Sequence, residues 1–293
     1  MSVVSGTNTS VVARVGRRRR LRWDRYALWI VLGLGSIAML GPFYWTLVTS
    51  FKGQSEVLAF PPTWWPQQPT LEHWRSLTDL SVGNFTTFFR NSLFVTSVVT
   101  ILVLLTSSMA GYVFAKLDFP GRDKLFWLVL SMIMIPFTVS IIPLYSLMVT
   151  LGWTNSYLAI IVPFAFDAFG IFLMRQFMFS IPNELIDAAR IDGASEFGIF
   201  FRIILPLSQA ALAALGIFIF LYHWDNFLWP LVVLNDPDLY TLPLGLAQFR
   251  GRVGTNIGGT AAASMIAVLP VLVVYVAAQR QFIEGIALTG LKG

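Results

Sequence analysis

Apolar residues fall in six long runs, at about 26–48, 92–114, 125–147, 157–177, 210–233 and 261–278, separated by shorter polar stretches. A helix needs about twenty apolar residues to cross a hydrocarbon core, so each run predicts one membrane span. Pro136 and Pro143 lie inside the third run. A proline within a span kinks it and frees carbonyls that neighbouring helices or a cavity must satisfy. The fold class expected is all-α integral membrane, with six transmembrane helices. Composition agrees: 56% of residues are hydrophobic, mean hydropathy is +0.70 and only 12% are charged, against about 25% in soluble domains.

Charge sets the orientation. Seven arginines precede or open the first run: Arg14, Arg17, Arg18, Arg19, Arg20, Arg22 and Arg25. An Arg run before an apolar run can open a secretion signal, but this apolar run is too long and lacks a small-residue cleavage site. A basic nucleic-acid-binding tail is the weaker reading of the same arginines, because the remaining basic residues sit at the ends of spans. With both termini cytoplasmic, fifteen of the twenty Lys and Arg residues fall inside and five outside, in accord with the positive-inside rule. The organisation expected is a basic cytoplasmic tail over 1–26, a six-span domain over 27–283 and a cytoplasmic tail over 284–293. Residues 49–87 form an external connection in which Trp64, Trp65 and Trp74 suit the membrane–water interface. There is no cysteine, and His73 and His223 are too far apart for a local metal motif, so no metal site is expected.

The longest polar and small-residue stretch between C-terminal spans is Ser180–Leu207. It reads as helix, hinge, helix. Ser180 is placed to cap the first helix, with Pro182 in its first turn and Glu184 and Asp187 near the positive end of its dipole. Gly193 ends that helix and Ser195 caps the next, with Glu196 just inside. Ala188, Ala189, Gly193 and Ala194 would let another backbone approach closely.

These residues carry a resemblance. Asp187-Ala188-Ala189, Gly193, Ile203, Leu205 and Pro206 stand in the register of the EAA motif of permease subunits of binding-protein-dependent ABC importers, with Asp187 where the motif prefers Glu. The similarity extends over about residues 27–293 and is nearest to the six-span second permease subunit of the maltose-type carbohydrate importers. It includes Thr70-Leu71-Glu72, Asn91-Ser92-Leu93, Phe119-Pro120-Gly121-Arg122, Pro143-Leu144-Tyr145, the run 172–177, the run 241–246, Glu284-Gly285 and Lys292-Gly293. It implies a type I ABC importer transmembrane domain in a prokaryotic cytoplasmic (inner) membrane. It implies a second permease subunit, two ATPase subunits, an external solute-binding protein and a sugar substrate as partners, and no nucleic acid. It also implies that 180–207 is the coupling loop, with Glu184, Asp187, Ala188, Ala189, Asp192, Gly193 and Ala194 at the ATPase contact. ATP and Mg would be bound by the partner ATPase, and no cofactor by this chain.

The chain has no G-x-x-x-x-G-K-[ST], H-E-x-x-H or G-x-S-x-G sequence, so hydrolysis of ATP is expected elsewhere and this subunit is expected to be non-catalytic. Two groups bear on the translocation path. Asp167 lies near the middle of the fourth run, where a charge costs about 2.5–3.5 kcal/mol. It either contacts a hydroxyl-rich substrate or bonds a neighbouring helix. Trp224, Asp225 and Asn226 belong to a run, YHWDNFLWPL, that is similar to a W-N-[DE]-F-L-W-P-L stretch of sugar importer permeases with its polar residues permuted. They either contact sugar or form an interfacial belt. A different class stays open: an ion-coupled secondary transporter or channel with Asp167 and Asp225 as relay carboxylates. A non-transporting scaffold or sensor is a further alternative. Within the sugar class, an oligosaccharide, a disaccharide and a glycerol-phosphate-type ester all remain, with the lack of deep Lys or Arg leaning toward neutral sugars.

Overall fold

The computed structural model describes residues 22–78, 85–252 and 256–290, with side chains described within 25–78, 85–247 and 256–277. The arginines before Arg22, and Lys292-Gly293, lie outside the described residues, and the side chains of Arg250, Arg252, Glu284 and the rest of the tail lie outside the described side chains. The chain divides into two units, 1–45 and 46–293. The first contains most of helix α1 (Arg22–Thr49), which has Pro42 inside it.

In the second unit residues 49–78 of the connection form a folded brace carrying two short helices, α2 (Gln54–Val57) and α3 (Glu72–Ser76). The Lys52 ammonium donates to the Thr63 carbonyl. Glu56 accepts from the Thr63 hydroxyl at 2.7 Å and from the Gln67 amide at 3.0 Å. His73 Nε2 donates to the Lys52 carbonyl at 2.9 Å. Trp64 and Trp65 are exposed, whereas Trp74 turns inward and stacks on Phe51.

Helix α4 (Phe85–Lys116) begins seven residues before the expected Ser92 and so takes 85–87 out of the connection. It is the central element. Val95, Val99 and Val103, one turn apart, are buried against Met174 and Met178 of the helix Ala168–Phe179 and Leu215 and Ile219 of the helix Gln209–Trp224. A small residue allows α4 to approach the helix Ala168–Phe179 closely: a Cβ on Gly111 would lie 2.7 Å from the Met174 Cβ. Close backbone approach is the usual basis of helix association inside a bilayer, where apolar contact alone gives little preference over lipid. The start of α4 is tied to two distant segments, one around Tyr157 and one around 238–242. Asn91 Nδ2 donates to the Asp238 carbonyl, Tyr157 donates to Asn91 Oδ1, and the Leu242 amide donates to Ser92 Oγ.

The next spans are broken. Helix α5 (Arg122–Ser131) runs through a 3₁₀ turn to Met134, and α6 (Phe137–Thr150) follows at a bend of 100°. The break falls at Pro136, which is extended and cannot donate to the preceding turn; Pro143 is accommodated inside α6. The fourth run forms α7 (Tyr157–Ile161), a 3₁₀ turn at Val162–Phe164 and α8 (Ala168–Phe179). Ser180 does not cap the following helix as expected. It closes α8, its hydroxyl donating to the Phe177 carbonyl at 2.7 Å, and Pro182 precedes rather than opens the next helix.

Helices α9 (Asn183–Ile191) and α10 (Glu196–Ile199) form the expected helix, hinge, helix. A π-helical turn at Phe200–Ile204 and α11 (Leu205–Leu207) lead to α12 (Gln209–Trp224) through a bend of 78°. The fifth run is not continuous to Val233: α12 stops at Trp224 and α13 (Leu228–Val233) starts again after Asp225–Phe227. The loop after it contains α14 (Leu242–Arg252), and α15 (Ile257–Gly290) carries the sixth span and runs on through most of the expected tail. Among the described residues, four helical stretches are long and apolar enough to cross a membrane, and six if each bent pair is one span.

Candidate functional site

Two features stand out, an elbow at 180–207 and a cleft near the helix breaks. In the elbow, Ile186 is buried and pins α9 to the bundle, while Glu184, Asp187, Ala188 and Ile191 share one exposed face. Gly193 adopts φ +81. The Gly193 amide donates to the Arg190 carbonyl and the Ala194 amide to the Ala189 carbonyl, which is the Schellman closure of a helix that requires a left-handed residue. Ser195 then caps α10, its hydroxyl accepting from the Gly198 amide at 3.2 Å. Of the expected coupling residues, Asp192, Gly193 and Ala194 are exposed beside the α9 face, and Ala189 is half-buried.

Contacts that the sequence reading did not select fix this elbow to the bundle. Lys116, at the end of α4, donates to the Ile181 carbonyl and to Asn183 Oδ1 at 2.7 Å. Tyr112, one turn earlier, donates to Glu196 at 2.6 Å, and the other Glu196 oxygen accepts from Arg190 Nε at 2.7 Å. That hydrogen bond raises the Arg190 pKa above its ordinary value. Arg190 also pairs with Asp187 at 3.4 Å. One carboxylate therefore joins the end of α9, the start of α10 and the span α4. Ile191 and Phe197 are exposed apolar residues at the rim. Their signal was an apolar residue next to the hinge on each side.

The cleft, about 900 Å3, is bounded by the breaks of the third and fourth spans and the last turns of α12. Asp167 lines it, but not from mid-helix. It is the N-cap of α8, its Oδ1 accepting from the Gly170 amide at 2.6 Å. That bond stays within its own helix instead of reaching a neighbouring one, and the side chain still opens to the cleft. Trp224 does not reach the cleft. It is buried, its indole donates to the Ala267 carbonyl at 3.1 Å, and it packs on Phe89 and Phe220. Asp225 and Asn226 form the non-helical link between α12 and α13 and are not among the lining residues. The run that was read from its Trp-Asp-Asn therefore contributes its preceding Tyr222 and His223 instead.

The residues 107–286 match the family described as binding-protein-dependent transport system inner membrane component. The arabinooligosaccharides transport system permease protein AraQ of Halalkalibacterium halodurans is 39% identical over 268 residues, covering 90% of this chain and 96% of that one. The sn-glycerol-3-phosphate transport system permease protein UgpE of Pectobacterium atrosepticum is 34% identical over 266 residues, covering 88% and 94%. A chain from the crystal structure of a bacterial ABC transporter involved in the import of the acidic polysaccharide alginate shares the fold, with a TM-score of 0.78 at 23% identity over 89% of this chain and 98% of that one. The chain belongs to the family of inner-membrane components of binding-protein-dependent transport systems.

Proposed function

We propose that this permease subunit forms half of the translocation path of an ATP-driven sugar importer and couples to a separate ATPase through residues 180–207. The observation that carries the reading is how the elbow is mounted. Its exposed face is acidic, small and apolar, and both helices that leave it end at the cleft. α8 runs from Asp167 to the elbow, and α12 runs from the elbow to Tyr222 and His223. The twelve residues of α8 span about 18 Å at about 1.5 Å per residue. A push on α9 is therefore delivered to the cleft through two helices, while the Lys116 and Tyr112 contacts bring α4 along.

ATP and Mg are placed on the partner ATPase, a second permease subunit supplies the other half of the path, and an external binding protein delivers the substrate. The named relatives transport arabinooligosaccharides and sn-glycerol-3-phosphate respectively. The cleft has no Lys or Arg among its lining residues, and a phosphate ester would call for one. That favours a neutral sugar.

The test is ATP turnover by the complex purified through this chain and placed in lipid nanodiscs with its binding protein and arabinotriose, lactose or maltotriose. The expected result is a co-purified ATPase whose turnover rises with one of these sugars only when the binding protein is present. Gentle purification of the chain without any ATPase, or flux that follows a proton or sodium gradient instead of ATP, would overturn the reading.

A further inference from the structure

Four polar side chains converge on the cleft from three segments: Ser140 of α6, Asp167 at the start of α8, and Tyr222 and His223 near the end of α12. All four lie within membrane-spanning stretches. Among the described residues, the Ser140 hydroxyl, the Tyr222 hydroxyl and the His223 ring nitrogens make no hydrogen bond, and Asp167 uses one carboxylate oxygen on its own helix and leaves the other unmatched. Polar groups at membrane depth are costly unless they face a cavity or a partner. Four of them on one wall point to a polar occupant.

The chemistry of the wall narrows that occupant. One carboxylate with no second acid beside it is a poor seat for a divalent cation, which takes several oxygen ligands. The lack of Lys and Arg is a poor match for phosphate. A neutral sugar ring suits it: its hydroxyls donate to Asp167 and accept from Ser140, Tyr222 and His223. The rest of the wall is apolar and aromatic. Phe164 stands edge-on to His223 at 5.2 Å between ring centroids, and Phe166 is exposed at 73%. Small-molecule pockets commonly combine such an apolar wall with a few convergent polar groups, at volumes of about 300–1,000 Å3, and this cleft is about 900 Å3.

We infer that this subunit carries its own sugar-ring subsite, in which Ser140, Asp167, Tyr222 and His223 bond ring hydroxyls and Phe166 covers the apolar face. The subsite rests on the import reading above, and the experiment separates the two. The chain has no cysteine, so Tyr222→Cys creates a single thiol on it. The unsubstituted complex is first assayed with arabinotriose, lactose and maltotriose; if none raises turnover, the import reading and the subsite fall together. With the stimulating sugar in hand, maleimide labelling at position 222 is followed by mass on this chain during turnover, with mannitol as the control solute. The expected result is several-fold slower labelling with the sugar, and no change at Thr150→Cys, an exposed position outside the cleft. Equal labelling with and without a sugar that stimulates turnover overturns the subsite and leaves the import reading standing. So does a thiol that never labels, because the partner permease would then fill the cleft. Should Tyr222→Cys fail to assemble, Tyr222→Phe and His223→Phe, which keep the rings and remove the polar atoms, decide the matter. Uptake at saturating loaded binding protein should fall about five-fold for each lost hydrogen bond, with ATP turnover retained, and unchanged uptake in both overturns it.

Discussion

Gly193 shows how one backbone angle decides a functional geometry. Its φ of +81 closes α9 and turns the chain into α10, and no atom lies near the place a side chain would occupy. Substitution is therefore a question of strain and not of space. Gly193→Val should cost about 1–2 kcal/mol of left-handed strain, Gly193→Asn less, because Asn tolerates this region. Gly193→Pro cannot adopt the angle and loses the amide that bonds the Arg190 carbonyl. Sugar-stimulated ATP turnover should rank Gly, Asn, Val, Pro in descending order, and equal turnover across the series would remove the hinge from coupling. In the brace after α1, Glu56 is the carboxylate whose charge organises the segment. The Thr63 hydroxyl first, and then the Gln67 amide, hold its pKa below the ordinary carboxylate range. A depressed folded value means that the charged form stabilises the brace above the unfolded pKa of about 4.3, and that this contribution disappears as pH falls through the folded value. Hydrogen exchange at the Gln67 amide should accordingly gain protection when Glu56 is ionised, and Glu56→Gln should abolish the pH dependence. A pH dependence that survives in Glu56→Gln would place its origin in another group.

At the scale of elements, the breaks matter more than the helices. Each of the third, fourth and fifth spans is interrupted, at Pro136, at Ala165–Asp167 and at Asp225–Phe227. Non-helical backbone at membrane depth is tolerated where it is buried in protein or lines a water-filled cavity, and the first two of these breaks bound the cleft. The other critical element is the junction between the elbow and α4. Lys116 and Tyr112 hold α9 and α10 to the bundle through the Ile181 carbonyl, Asn183 and Glu196. Tyr112→Phe removes a hydrogen bond to a charged acceptor, a loss of about 1.5–3 kcal/mol, and leaves the ring packed on Phe200. Lys116→Met leaves the Ile181 carbonyl unpaired. Combining the two should lower the sugar molecules imported per ATP hydrolysed while the ATPase subunits stay bound. An unchanged ratio with a lowered melting temperature would make these contacts purely structural.

For the whole molecule, the reading turns on one exposed surface with a partner to meet. Ala188 is exposed on α9, whereas Ala189 is half-buried against the bundle. Ala188→Arg is thus the cleaner block: it should leave the chain folded and abolish ATPase co-purification, and retention of the ATPase would move the docking surface elsewhere. The six apolar runs and the helix, hinge, helix of the elbow were legible in the sequence, because they depend on length and local backbone rules. Gly193 and Ser195 were read correctly for that reason, since a helix stop and a helix cap involve only near neighbours. Ser180 was misread because a serine before a proline can close one helix as well as open the next, and the choice depends on whether α8 reaches it. The interruptions at Asp167 and Asp225 were hidden, because continuous apolarity does not report a break whose backbone groups find partners such as the Thr106 hydroxyl on the Ala165 carbonyl. Trp224 and Tyr222 are two residues apart, yet one is buried against α15 and the other opens to the cleft. Sequence alone determined a membrane permease with six apolar runs and a hinge at Gly193. Only the tertiary structure decided which polar residues share the cleft and which contacts hold the hinge, since both depend on where helices from distant parts of the chain come to rest.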